Sequence, residues 1–247
     1  MEEILEPDKN SFVVVSNRLI HARYRLSMSE IRLFIWIIFA FEQTRREVRM
    51  SVKDVAEIIG LKGDSHSALE RVTRNLMKQN IILEEENGSQ GAYNILSNTS
   101  FIDGIVTIRL SPYMEQHLTN LKNRFTKYGL TYGLALKSAY GFRLYQFGKM
   151  SLGLKKTGMR IDLDEFIKML RIEKRSECMH IQNFEKSVLD VAQRDVNAMT
   201  DINVSYRLLE SGIAEKAIKL EFAFSEKEKK PDILCSRLRR GHASQAH

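Results

Sequence analysis

The spacing of apolar positions switches between a helical period and a strand period along the chain, and the order of those switches occurs twice. From Arg32 to Phe41 nearly every residue is apolar, with Ser29 placed to cap the helix; a helix apolar all round must be buried on most sides. SVKDVAEIIGL follows, with Val52, Val55, Ile58 and Ile59 on one face and Gly60 placed to stop it. A third helix, capped by Asp64 or Ser65, turns Leu69, Val72, Leu76 and Met77 inward. Its outward stripe is Ser67, Arg71, Arg74 and Lys78. Strands IILEEE, AYNILSNTSF and IVTIRLS come next, with turns at Asn87-Gly88 and Asp103-Gly104. Pro112 opens a short closing helix.

The second stretch opens with the long helix LALKSAYGFRLYQFGKMSLGL, then the strand MRIDL and the helix DLDEFIKMLRI, an echo of SVKDVAEIIGL. Its third helix, Ile181 to Met199, turns Phe184, Val188, Val191, Ala192 and Val196 inward. Outward lie Gln182, Asn183, Lys186, Asp190, Gln193 and Asn197. NVSYRLLE and KAIKLEFAF, joined at Ser211-Gly212, complete a hairpin. Helix, helix, helix, hairpin is the order of a winged helix, whose third helix enters a groove while the hairpin touches backbone. The expected fold class is α+β: two tandem winged-helix domains related by internal duplication. The glycines of NRFTKYGLTYG mark the junction, giving domains 12–127 and 128–225 and a flexible charged tail over 226–247.

Charge sharpens this picture. Lys and Arg outnumber Asp and Glu by 38 to 31, a net +7, which favours a polyanionic partner. Cys178 and Cys235 are far apart and form no ligand spacing, which suits a reducing cytoplasm. The start, MEEILEPDKN, lacks a secretory pattern, and the longest apolar run is about half of the ~18 residues a membrane span needs. A soluble cytoplasmic protein is expected. The six histidines (His21, His66, His117, His180, His242, His247) never form the pair around one apolar residue that a metal-dependent DNA-joining enzyme needs. No nucleotide-binding loop GxxxxGK[ST] occurs. Asp162 and Asp164 sit at a helix start, where carboxylates oppose the helix dipole. The chain is expected to be no enzyme and to take no cofactor and no metal.

Several segments resemble the replication initiators of iteron-containing plasmids. VSNRLIHARYRLSMSEIRLF is similar to that family's opening, and SPYMEQHLTNLKNRFTKYGL to its Pro-Tyr helix and junction. LKSAYGFRLYQFGK, the most specific piece, resembles its Ser-x-Tyr-x-x-Arg-Leu-Tyr helix. VLDVAQRDVNAMTDINVSY with IKLEFAF resembles its recognition helix and wing, so the likeness runs over about residues 12 to 224. The resemblance implies a protein that binds repeated double-stranded sites at a plasmid origin, helps open the duplex and recruits host helicase and initiator proteins. It also implies plasmid copy control, a homodimer in equilibrium with monomer, and autoregulation through an operator inverted repeat. The C-terminal domain would make the main base contacts; the N-terminal domain would add backbone contacts and the dimer interface.

Relatives often carry a basic cluster after the Phe that heads the second recognition helix, whereas here Phe184 is followed by Glu185, Lys186 and Ser187. Base reading is therefore expected to rest on Gln182, Asn183, Lys186 and Gln193, with Asn197 further along the helix. Arg171, Lys174 and Arg175 are expected to fix register on phosphates. The residues alone leave open a winged-helix transcriptional repressor without initiator activity, because both functions need the same stripe and wing.

Overall fold

The computed structural model describes residues 7–8, 10–44, 47–84, 88–118, 121, 123–173, 180–210 and 218–228. The turn at Ser211-Gly212, Asn87, Lys174, Arg175 and nearly all of the 226–247 tail lie outside the described residues. The first unit runs β1 (Phe12–Ser16), α1 (Asn17–His21), α2 (Met28–Thr44), β2 (Val48–Ser51), α3 (Val52–Ile58), α4 (Ser65–Lys78), β3 (Asn80–Glu84), β4 (Gln90–Asn94), β5 (Leu96–Ile102), β6 (Ile105–Leu110), α5 (Pro112–Gln116) and β7 (Phe125–Gly129). The second runs α6 (Leu130–Ala135), α7 (Ala139–Gly153), β8 (Gly158–Asp162), α8 (Leu163–Leu170), α9 (Ile181–Phe184), a π-helical turn (Glu185–Leu189), α10 (Asp190–Met199), β9 (Ile202–Glu210) and β10 (Ile218–Glu226).

Both units build the same antiparallel sheet. In one the order is β2-β6-β5, in the other β8-β10-β9: the short strand after the first helix pairs with the last strand of the hairpin. That shared topology is the winged helix, twice. Ser27 opens α2, not Ser29: the Glu30 carboxylate accepts from the Ser27 amide at 2.7 Å and the Glu30 amide donates to Ser27 Oγ at 3.4 Å. This reciprocal pair satisfies two orphan helix donors. Leu33 to Phe41 are all at most 7% exposed, which places α2 at the centre of the first unit. Each such side chain contributes about 1.5–3 kcal/mol of burial as an upper bound.

Three elements differ from the sequence reading. The junction segment NRFTKYG holds a strand: β7 pairs along its whole length with β1, from Phe12 opposite Gly129 to Ser16 opposite Phe125. The expected junction at 127/128 therefore falls inside a strand, whose Thr126 and Tyr128 are buried while Phe125 and Lys127 are exposed. AYNILSNTSF is two strands broken at buried Ile95, one pairing with β3 and the other with β6. The opening helix of the second unit is also broken. Leu136 is extended, Ser138 Oγ caps α7 by accepting from the amides of Tyr140 and Gly141, and Asp195 of α10 accepts from the amides of Lys137 and Ser138.

Helix α7 joins the units. Its residues from Gly141 to Gly148 are all buried, including Arg143 (3% exposed) and Gln146 (4%). Arg143 Nη2 donates to the Ala22 carbonyl at 2.7 Å, and its guanidinium lies 4.1 Å from the Tyr24 ring centroid. Gln146 Oε1 accepts from the Tyr24 hydroxyl at 3.0 Å, and its Nε2 donates to the Tyr128 hydroxyl at 3.2 Å. The segment 22–24 thus holds α7 by its carbonyl and ring while Arg23 exchanges backbone bonds with Ile82 of β3.

On the other side α7 lies close to the second sheet. A Cβ at Gly148 would stand 2.5 Å from Ile202 Cδ1 and 2.9 Å from Phe224 Cδ1. Gly148→Ala is expected to lower stability by about 1–2 kcal/mol, overpacking exceeding the gain in helix propensity. Urea unfolding checks this. On the outer face of the same sheet Glu221 of β10 is bonded by Arg160 of β8 and Arg207 of β9, and these two guanidiniums hold its carboxyl below the usual glutamate range. A depressed carboxyl stabilises the fold near neutrality and loses that contribution as pH falls through its folded pKa. The stability gap between wild type and Glu221→Gln should shrink from about pH 7 to about pH 3, as followed by thermal unfolding.

Candidate nucleic-acid interface

The third helix of each unit carries the candidate surface. In α4 the Asp64 carboxylate caps by accepting from the amides of His66 and Ser67. Ala68, Leu69, Val72, Thr73 and Leu76 are buried, so the opposite side faces outward. Ser67, Arg71, Arg74 and Lys78 are all exposed, as the periodicity requires, and Arg74 is ion-paired to Glu70 one turn back. The wing strand β5 runs along this helix. Thr99 Oγ1 donates to Met77 Sδ at 3.2 Å, and the Phe101 ring centroid lies 5.3 Å from that of His66. The wing turn at Asp103-Gly104, with φ of 50° and 74°, therefore stands at the N-terminal end of the helix.

The corresponding helix of the second unit is wound differently. A π-helical turn over Glu185–Leu189 interrupts it, so Phe184, Val188, Ala192, Val196 and Thr200 are buried at uniform steps of four. An uninterrupted α-helix, at about 3.6 residues per turn, would drift off that line within three turns. The exposed line keeps the same step: Gln182, Lys186, Arg194 and Ala198 are exposed, with Asp190 partly covered between them. Wide turns of this kind recur at functional sites.

Two expected residues are half-buried instead of exposed. Gln193 is half-buried, shifted off the line by the wide turn. Asn197 is half-buried, and its amide clamps β9: Nδ2 donates to the Val204 carbonyl at 2.9 Å and Oδ1 accepts from the Val204 amide at 2.7 Å. An amide that donates to and accepts from one backbone residue joins helix to wing, and the edge that would pair with an adenine is the one engaged. Arg171 is placed against the first unit. It is half-buried, and Nη1 donates to Asn80 Oδ1 at 3.0 Å in the first unit instead of reaching into solvent. Gln182, Asn183 and Lys186 are exposed as expected.

Arg194 is the residue the sequence reading missed. It is exposed on the line of Lys186, and its Nε donates to the Asp190 carbonyl at 3.2 Å. The signal was present, because apolar residues recurring every four positions from Phe184 to Val196 specify a slower winding than a regular α-helix. Two acids of this helix, Glu185 and Asp190, are turned toward the wing, and a third, Asp195, toward the start of α7. The Tyr206 hydroxyl of β9 donates to Asp190 Oδ1 at 2.7 Å, with Glu185 Oε1 3.3 Å away. Burial first, then the bond to Asp190 and the charge of Glu185, push the Tyr206 phenol well above its ordinary value, so it stays a donor. Lys186 and Arg194 are thereby the charges that face outward along the ridge. Among the described residues no group of three His, Cys, Asp or Glu is placed to hold a metal ion, and no helix is long and apolar enough to cross a membrane.

Two winged helices with exposed, cation-bearing third helices define a tandem winged-helix protein of nucleic-acid-binding type. Residues 12–149 match the family model described as Initiator Replication protein, WH1, and residues 162–224 that described as Initiator Rep protein, WH2. The chain belongs to this family of replication initiator proteins. A curated Replication initiation protein of Escherichia coli is 23% identical over 210 residues, 78% of this chain. The chain spans 64% of that relative's length. The crystal structure of the Pi initiator protein in complex with iteron DNA superposes with a TM-score of 0.65 at 18% identity, covering 89% of this chain and 100% of that one. At that identity it shows a shared fold.

Asn197→Ala should destabilise the second unit by about 1–3 kcal/mol, because it leaves the Val204 amide and carbonyl without their partner. Chemical denaturation measures the loss. A variant that keeps full stability would return Asn197 to the surface inventory.

Proposed function

We propose that this protein is a replication initiator that binds repeated sites at a plasmid origin of replication, the iterons, through both winged helices. The observation that carries this reading is the pair of outward cationic helix faces, Arg71, Arg74 and Lys78 in one unit and Lys186 with Arg194 in the other, on a chain of the initiator family. Gln182 and Asn183 suit adenine edges, and Lys186 and Arg194 suit guanine. The second unit is assigned base recognition, and the first backbone contacts and pairing with a second copy. Duplex opening at the origin, recruitment of the host helicase and autoregulation through an operator follow as parts of the same proposal, carried out in the bacterial cytoplasm.

The test is titration of the full chain with a duplex selected from a random pool and with a scrambled duplex, at several salt concentrations. Affinity should fall steeply with salt, with a slope of about −0.9 per phosphate neutralised. Lys186→Ala and Arg194→Ala should each weaken the selected duplex roughly tenfold and the scrambled one much less. Replacing Arg71 and Arg74 together by Ala should flatten the slope by about two. Salt-independent binding, or equal losses on both duplexes, would overturn the reading. Permanganate reactivity on a supercoiled origin plasmid then separates an initiator, which opens the duplex, from a repressor, which binds without opening it.

A further inference from the structure

We propose that Arg171 is a positioning residue that locks the two DNA-facing helices at a fixed angle, by tying the strand that follows α4 to the end of α8, which packs on the sheet of the second unit. Arg171 is the C-cap residue of α8, with φ 52° and ψ 50°. Glycine or asparagine is usual there, since an L side chain is strained in the left-handed region. Glycine would therefore fit this backbone with less strain than arginine.

The side chain supplies the tie. Nη1 donates to Asn80 Oδ1 at 3.0 Å, with the Asn80 carbonyl 3.5 Å away. Asn80 begins β3 and is separated from Lys78, the last residue of α4, only by the cap residue Gln79. It stands on a braced strand. Ile82 exchanges two backbone bonds with Arg23, at 2.8 and 3.0 Å, and Arg18 Nη2 donates to the Glu84 carbonyl at 3.0 Å. Arg23 lies between Ala22 and Tyr24, the residues that hold α7. The broad attachment along α7, with Arg143 and Gln146 at its centre and Arg32 donating to the Leu136 carbonyl beside it, and the outer attachment at Arg171 thus lie on different elements. An attachment set apart from the main one resists rotation about it. A fixed angle lowers the ordering cost of engaging one duplex with both helices and raises the effective concentration of the second contact. The consequence for DNA rests on the proposed function; the lock itself does not.

Arg171→Gly is the discriminating variant, because glycine suits the cap backbone and keeps the chain folded. Spin labels at exposed Glu57 and Asp164, with Cys178 and Cys235 replaced by Ser, report the angle between the units without DNA. A narrow distance distribution in the wild type should broaden in Arg171→Gly and in Asn80→Ala, broaden no further in the double variant, and narrow again in Arg171→Lys. On the selected duplex Arg171→Gly should lose roughly tenfold in affinity with an unchanged salt slope. An unchanged distribution in Arg171→Gly, an indifferent Asn80→Ala, or a salt slope lowered by about one, the mark of a phosphate contact, would overturn the lock. If the wild type binds no duplex selectively, the proposed function fails and the distance distributions still decide the lock.

Discussion

A buried guanidinium is the constraint on which the arrangement of this molecule depends. Arg143 is 3% exposed, and its partners are the Ala22 carbonyl, the Gln146 amide and the faces of Tyr24 and Phe147, not a carboxylate. A charge removed from water at this depth is tolerated only when acceptors and rings are held in place around it. The groups that hold it come from the N-terminal segment and from α7, so the segment 22–24 and α7 must fold together. Lysine, with a compact ammonium and no planar face, does not reproduce that stacking. The match of residues 12–149 to the first-domain model has the same physical origin: the opening helix of the second winged helix is also part of the first unit's core.

Much of the fold was legible. The all-apolar run of α2, the Asp64 cap of α4 and the order of helices and hairpins are local signals, and each survives in the structure. What was not legible is non-local. β7 alternates over only five residues, so its glycine-containing neighbourhood read as a domain junction, while its pairing partner β1 lies more than 100 residues away. The break at Ile95 is decided by which neighbour each half of the run meets, and no sequence period encodes that.

The interface follows the same division. The stripe of α4 came directly from its period, because the helix is regular from Ser65 to Lys78. In the second unit a constant turn angle put Gln193 and Asn197 outward and overlooked Arg194. Arg171 read as a surface cation because its partner, Asn80, lies in the other unit. Charge in the sequence says how many cations there are; only packing says which remain available to a partner.

The wide turn at Glu185–Leu189 has a consequence for how such a helix changes over time. It acts as a phase shifter: one surplus residue, absorbed in a single loop of backbone, rotates everything downstream relative to everything upstream. Specificity can therefore drift in two ways. One is to exchange Lys186 or Arg194 for another side chain. The other is to insert or erase the surplus residue, which rotates the column holding Arg194, and the buried column of Ala192 and Val196 with it, relative to Gln182 and Phe184.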